Sequence, residues 1–395
     1  MTKIKTFENL DLHNKKVLLR VDFNVPLESN KNTNTITDDW RIQSSLPTIN
    51  LLLEKKARII ICTHIGRPKG KYSKDLTIGP IADHLSQLLK TKVHQANDSI
   101  GTDVEILVDQ LQESSILILQ NIRFYIDEDK NSIPFSKKLA KPYDIFINDA
   151  FGVAHRENSS TVGVTQFLPS YGGLLMKQEI EVLNHLTKSA PSPRTAIIGG
   201  AKIADKLLLL KNIAKSVENL IVGGAMAQPI INFLEGVSNI DNTLDKQIDV
   251  LLKLIHSHNT KLILPKDFLI TEQISEFSKT RLINMNDLPK DWQIVDIGPK
   301  SISQIQGIID KSSTIFWNGP MGIFEIKKYS KGTSQIAKTL AKANNKLTVL
   351  GGGSTVQAVR NEGLDDKFSH ISTGGGAFLK FLEGQTLPAI IPITE

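Results

Sequence analysis

Cysteine is almost absent: Cys62 is the one thiol in 395 residues. That excludes an intramolecular disulfide and any cysteine-rich metal site, and it fits a reducing compartment. No apolar run approaches the roughly 20 residues needed to span a bilayer. The segment Met1–Leu10 is charged and has no apolar core of a signal peptide. A cytoplasmic protein without a membrane partner is expected. Aromatic residues make up only 6% of the chain, and no dense basic run accompanies its net charge of +6. Residues 1–172 hold 22 Lys+Arg against 20 Asp+Glu, and residues 173–395 hold 25 against 21. A surface that tracks nucleic-acid phosphates shows a basic stripe or cluster, so no nucleic-acid partner is expected. Two familiar phosphate signatures are also missing. Gly66-Arg67-Pro68-Lys69-Gly70-Lys71 has the wrong spacing for Gly-x4-Gly-Lys-[Ser/Thr]. No Gly-x-Gly-x-x-Gly turn follows a strand, which argues against a nicotinamide dehydrogenase.

What is present is an alternation. A chain of this length exceeds what one core supports, so two domains are expected. Short β-branched runs mark strands at Lys16–Val21, Arg58–Cys62, Ser115–Leu119 and Asp144–Asn148. In the second half they fall at Thr195–Ile198, Asn219–Val222, Lys261–Leu264, Thr314–Trp317, Leu347–Leu350 and Phe368–Ile371. Helical periodicity lies between them, at Thr77–Leu89, Lys202–Ser216 and Ser330–Ala343. Strands alternating with helices predict two α/β domains built on doubly wound parallel sheets. Leu174–Leu186 reads as a helix joining them, with Pro191 and Pro193 at its exit. Asn30–Asn34 reads as a polar surface loop.

Glycine clusters follow apolar runs four times, at Gly199-Gly200, Gly223-Gly224, Gly351–Gly353 and Gly374–Gly376. Each sits where a strand should end and a helix begin, the edge of an α/β sheet at which ligands bind. Without a Cβ, backbone N–H groups can approach phosphate oxygens. Lys202 and Lys206 follow the first cluster four residues apart, which predicts two ammonium groups on one face of a helix's first turn. Asn318-Gly319-Pro320, with Glu325 soon after, offers an amide and a carboxylate to a sugar or base. In the first half, Asp22 and Asn24 are two apart at a strand end and can both face a cleft. Arg41, His64, Arg123 and Arg156 each lie near a strand's end or a helix's start, and guanidinium forks suit phosphate or carboxylate. His64 and His155 lack metal-ligand spacing.

Taken together, these segments resemble the phosphoglycerate kinase family. The resemblance rests on Arg-Val-Asp-Phe-Asn-Val-Pro (20–26), His-Ile-Gly-Arg-Pro (64–68), Asn-Asp-Ala-Phe-Gly-Val-Ala-His-Arg (148–156) and Gly-Gly-Ala-Lys-Ile-Ala-Asp-Lys (199–206). It continues through Asp-Ile-Gly-Pro (296–299), Trp-Asn-Gly-Pro-Met-Gly-Ile-Phe-Glu (317–325) and Ser-Thr-Gly-Gly-Gly-Ala (372–377). It implies two Rossmann-like domains joined by a helix and hinge. The first would be a triose-binding domain at 1–173, with 380–395 packing back on it. Residues 174–190 would be the connecting helix and 191–379 the nucleotide domain. The implied reaction is reversible phosphoryl transfer from 1,3-bisphosphoglycerate to ADP, by a monomer using Mg2+. Small molecules would be its partners.

By the same resemblance, Asp22, Phe23, Asn24, Arg41, His64, Ile65, Gly66, Arg67, Arg123 and Arg156 would bind the triose. Gly200, Lys202, Lys206, Gly223, Gly298, Asn318, Pro320, Glu325, Gly352, Gly353, Ser354 and Thr355 would bind the nucleotide. Arg41, Lys202 and Gly374, Gly375 and Gly376 would stabilise the moving group. One position departs from the family pattern: Ser354 stands where an aspartate near Mg2+ is usual. A hydroxyl is a weaker ligand for a hard cation. The metal would then be held mainly by nucleotide phosphates, with Ser354 as its protein contact. A catalytically impaired relative that only binds its ligands is the alternative this residue leaves open.

Overall fold

Runs of consecutive aliphatic residues bury both faces of a strand, which calls for a parallel sheet with helices on each side. The computed structural model describes residues 3–30, 33–237 and 243–395. The chain divides into two compact units, Met1–Glu181 with Thr386–Glu395, and Val182–Gln385.

The first unit runs β1 (Lys16–Arg20), β2 (Leu27–Asn30), β3 (Thr33–Ile36), α1 (Trp40–Glu54), β4 (Arg58–Cys62), α2 (Gly79–Leu89), β5 (Val93–Gln95) and α3 (Thr102–Gln110). It continues with β6 (Ile116–Ile118), α4 (Ile126–Asp129), α5 (Ile133–Ala140), β7 (Ile145–Asn148), β8 (Ser170–Gly172) and the start of α6 (Leu174–Lys188). Six strands pair in the order β5-β6-β4-β1-β7-β8, every pairing parallel. Alternate residues feed two separate cores. Val17 and Leu19 of β1, with Ile59 and Ile61 of β4, pack on one face. Leu18, Ile60 and Cys62 pack on the other, with Leu117 and Phe146. This is the period-2 consequence of a strand buried on both sides.

The second unit carries β9 (Arg194–Ile198), α7 (Leu207–Ile213), β10 (Asn219–Val222), α8 (Gln228–Leu234), α9 (Thr243–Ser257), β11 (Lys261–Ile263), β12 (Asp267–Thr271), β13 (Arg281–Asn284) and β14 (Gln293–Ile297). Then come α10 (Pro299–Ile309), β15 (Thr314–Asn318), α11 (Lys331–Ala341), β16 (Leu347–Gly351), α12 (Gly353–Asn361), β17 (His370–Ile371) and α13 (Gly375–Leu382). The main sheet has the order β11-β10-β9-β15-β16-β17, all parallel. Counted along its own strands this is 3-2-1-4-5-6, the dinucleotide-fold order, with its reversal between β9 and β15. Both units are doubly wound α/β folds.

Several expectations change. The helix predicted over Lys202–Ser216 starts only at Leu207, after a 3-10 turn at Ala204–Lys206. Lys202 and Lys206 therefore do not share the first turn of an α-helix. The loop expected over 30–34 lies partly outside the described residues, and Leu27–Asn30 and Thr33–Ile36 around it pair as an antiparallel hairpin. A three-stranded antiparallel sheet, β13-β12-β14, stands where no strands were expected. The division between units falls inside α6, and Lys380–Leu382 lie in α13 of the second unit.

Candidate active site

In the first unit, the segments that follow β1, β4, β6 and β7 bring polar residues together. Asp22 follows β1, and its Oδ2 accepts from Arg41 Nη1 at 3.1 Å. Arg41, at the start of α1, also donates to the carbonyl of Asn24 at 3.2 Å. The Asn24 side chain accepts from the Gly66 N–H at 2.9 Å, and Arg123 donates to the Gly66 carbonyl at 2.9 Å. One glycine peptide thus ties the segment after β1 to the one after β6. Gly152 lies close as well, since a Cβ there would sit 2.1 Å from Asp22 Oδ2.

His64 is buried among cations. Burial, and then Arg20, Arg123, Arg41 and Arg156, hold its imidazole well below the usual range, so the ring is neutral. Burial also brings Arg123 down to about 10, with Arg20 and Arg156 adding to the shift. Such a concentration of positive charge suits a ligand with several negative charges. Arg20 was not expected as part of this cluster. Its sequence signal is a charge that directly follows the apolar run Val-Leu-Leu of β1.

Of the other residues expected here, Arg67 is exposed on the segment after β4. The side chains of Phe23 and Ile65 are buried in the core. The Phe23 N–H is already taken by Thr63 Oγ1.

In the second unit, Lys206 sits where the strand order reverses. Its Nζ donates to the Gly199 carbonyl at 2.8 Å and to Asn318 Oδ1 at 2.7 Å. These residues follow or end β9 and β15. Burial brings the Lys206 ammonium down to about 8. No carboxylate accompanies it in these bonds, so the charge is held by neutral acceptors alone. Lys202, by contrast, is exposed. Gly319 has φ +92°, and a Cβ there would meet the Gly199 carbonyl at 2.1 Å and Lys206 Nζ at 2.7 Å. Only glycine lets the two strand ends approach this closely.

Two helix starts lie beside each other on this sheet. α12 has Gly352 as N-cap and α13 has Gly374, and neither has a side-chain cap. A Cβ on Gly375 would be 3.2 Å from Gly352 Cα. Their free N–H groups and positive dipole ends converge on one place, a ready anion site. Asn318 Nδ2 donates to the Gly351 carbonyl at 2.7 Å, and Thr355 Oγ1 accepts from Gly319 N at 2.6 Å. Thr355 is therefore buried in a structural bond, while Gly353 and Ser354 are exposed.

A cavity of about 470 Å³ opens next to this crevice. Gly200, Pro320 and Glu325 line it, as do Ile274, Val295 and Met321. An apolar slot with a carboxylate, Glu325, fits a flat heterocycle and a sugar hydroxyl. Ile274 and Val295 come from the antiparallel meander, so part of the wall was missing from the sequence reading. Gly223 is buried behind Met321, whose Sδ would be 2.3 Å from a Cβ there. Gly298 is placed at a helix start. It caps α10, whose Lys300 and Ser301 N–H groups already bond the Asp267 carboxylate at 3.0 and 2.8 Å. That helix start has its anion, and Gly298 does not line the cavity.

Among the described residues, no group of three or more His, Cys, Asp or Glu could hold a metal ion. Also among them, no helix is long and apolar enough to cross a membrane.

The family model for phosphoglycerate kinase matches residues 7–385. A phosphoglycerate kinase of Moorella thermoacetica is 39% identical over 393 residues, covering 99% of each chain. One of Dictyoglomus turgidum is 42% identical over 388 residues, covering 98% of this chain and 97% of that one. Among solved structures, phosphoglycerate kinase from Coxiella burnetii superposes with TM-score 0.84 at 35% identity, covering 99% of this chain and 98% of its own. The enzyme from Pyrococcus horikoshii gives 0.83 at 31%, with the same coverage.

Proposed function

The chain belongs to the phosphoglycerate kinase family, and from that premise we propose how its residues divide the reaction. The arginine-rich cluster of the first unit holds the three-carbon acid. Asp22 and Asn24 meet its hydroxyl and carboxylate end, while Arg41, Arg67, Arg123, Arg156 and His64 meet its charges. The crevice of the second unit holds the nucleotide: the slot takes the base, Glu325 the ribose, and Lys206 with the α12 start the phosphates. The observation that carries this reading is the half-buried Lys206, held by neutral acceptors beside two uncapped helix starts.

In the forward direction a terminal oxygen of ADP attacks the acyl phosphate. The bond from phosphorus to the C1 oxygen breaks, and a carboxylate leaves. Such transfers need positioning and neutralisation of the phosphoryl oxygens, and little covalent help from the protein. Lys202, Arg41 and the helix start at Gly374–Gly376 are the groups assigned to that neutralisation. The absence of a carboxylate cluster among the described residues fits a Mg2+ that arrives on the nucleotide, with Ser354 as its protein contact. When bound, the ion supplies further charge neutralisation to the phosphate oxygens. We place the enzyme in the cytoplasm as a monomer. The test is a coupled assay with 3-phosphoglycerate and MgATP, paired with ATP formation from 1,3-bisphosphoglycerate. Turnover in both directions is expected, and none at saturating Mg2+ would remove the reading.

A further inference from the structure

Behind His64 lies a buried chain of polar groups that the reaction does not use. Arg20, His64, Ser160 and Glu128 are each at most 2% exposed. Arg20 Nε donates to Ser160 Oγ at 2.8 Å, and Ser160 Oγ donates to Glu128 Oε1 at 2.6 Å. The Ser160 N–H donates to Glu128 Oε2 at 2.9 Å, so both carboxylate oxygens are fixed. Arg20 Nη1 donates to the Val21 carbonyl, and Nη2 meets His64 Nδ1 at 3.2 Å. The far ring nitrogen, Nε2, lies 3.7 Å from Asp22 Oδ1.

A guanidinium has no acceptor, so its contact with Nδ1 leaves only one arrangement. Nδ1 must present a lone pair, and the single proton of the neutral ring must sit on Nε2. We propose that Glu128 and Ser160 are positioning residues: they hold Arg20 so that His64 is kept as the Nε2–H tautomer, with its one donor facing the triose site. Glu128 also supplies a buried carboxylate beside Arg20. Without it, Arg20 would be a buried cation with no counter-charge, free to turn toward the ligand or away from His64. The carboxylate thus acts on the substrate through Ser160, Arg20 and His64 and touches nothing that reacts.

This proposal rests on the triose assignment above, and its test separates the two. Histidine labelled with 15N, with His64→Gln to assign the signal, reports the tautomer without any turnover. The wild type should show the proton on Nε2. Ser160→Ala removes the hydroxyl but keeps the backbone bond, and Glu128→Gln keeps the shape and removes the charge. Each should populate a mixture of tautomers and raise KM for 3-phosphoglycerate about tenfold, the scale of one hydrogen bond to a charged group, with KM for MgATP unchanged. A merely structural role would lower thermal stability without this asymmetry. A wild-type proton on Nδ1, or an unchanged tautomer and KM in both variants, would overturn the proposal. An inactive protein with the Nε2–H tautomer would instead overturn the kinase assignment and leave the relay standing.

Discussion

Lys206 shows how one residue's environment sets a measurable response. It is half-buried, bonded to a carbonyl and an amide oxygen, and its ammonium is brought down to about 8 by burial. Polyphosphate binding requires the charged form. Below pH 8 that form is already present in the free protein, and above it binding must first take up a proton. The apparent KM for MgATP should therefore rise about fivefold between pH 8 and 9. Lys206→Arg, which stays charged, should flatten the profile, and a wild-type KM independent of pH over that range would refute the assignment. Lys202 is exposed. Lys202→Ala should lower kcat by about a hundredfold, the scale of one lost transition-state donor, while KM for ADP changes little. Unaltered kcat would remove it from the mechanism. Ser354, exposed in the first turn of α12, gives a third contrast. Ser354→Asp should lower the Mg2+ concentration for half-maximal activity several-fold, because a carboxylate is the better ligand for a hard cation. Identical titrations would show that Ser354 does not meet the ion. The presence of these residues was readable in the sequence, but their geometry was not. A four-residue spacing means one helix face only if the helix has begun, and Lys206 has φ −122° at the cap of α7.

At the scale of elements, the convergence of α12 and α13 depends on glycines with different constraints. Gly352 has φ +96°, and a Cβ there would lie 2.5 Å from Asn318 Nδ2. Gly353, one residue on, would meet nothing within 4 Å. Gly352→Ala should cost roughly 1–3 kcal/mol of stability, since a strained backbone and a displaced Asn318 combine. Gly353→Ala should leave the melting temperature unchanged yet raise KM for ADP, because its methyl occupies the space that phosphate oxygens approach. Equal effects of the two substitutions on both readouts would contradict this division. The elements themselves differ in how legible they were. β1, β4, β9, β15 and β16 read directly, because a strand covered on both faces is a continuous apolar run. The meander did not. In β13 only Ile283 is buried, and its neighbours Arg281, Leu282 and Asn284 face outward. One buried residue in four leaves no periodicity to find. β5 is three residues long with only Val93 buried, and fails for the same reason.

For the whole molecule, the path of the chain has a consequence for stability and for the site together. The second unit is one continuous stretch, whereas the first is completed only by the last ten residues. Those residues are well anchored in it. Ile4 and Thr394 form an antiparallel bridge, and Lys5 N donates to the Ile393 carbonyl at 2.7 Å. Leu387, Ala389, Ile390 and Ile393 are all buried. The segment also supports the functional loop after β7. Ala389 N donates to the Ala154 carbonyl at 3.1 Å, and Asn148 Nδ2 donates to the Ala389 carbonyl at 3.4 Å. Ala154 is two residues from Arg156, so part of the basic cluster rests on the chain's far end. Losing even one such aliphatic side chain costs about 2–5 kcal/mol, against a typical domain stability of roughly 5–15 kcal/mol. Truncation after Gln385 should therefore abolish or strongly lower the unfolding transition of the first unit and its binding of 3-phosphoglycerate. The second unit, whose chain is intact, should keep a transition that ADP shifts upward. Calorimetry with and without each ligand distinguishes the two. If the truncated protein kept both transitions and its triose affinity, the terminal segment would be packing without function.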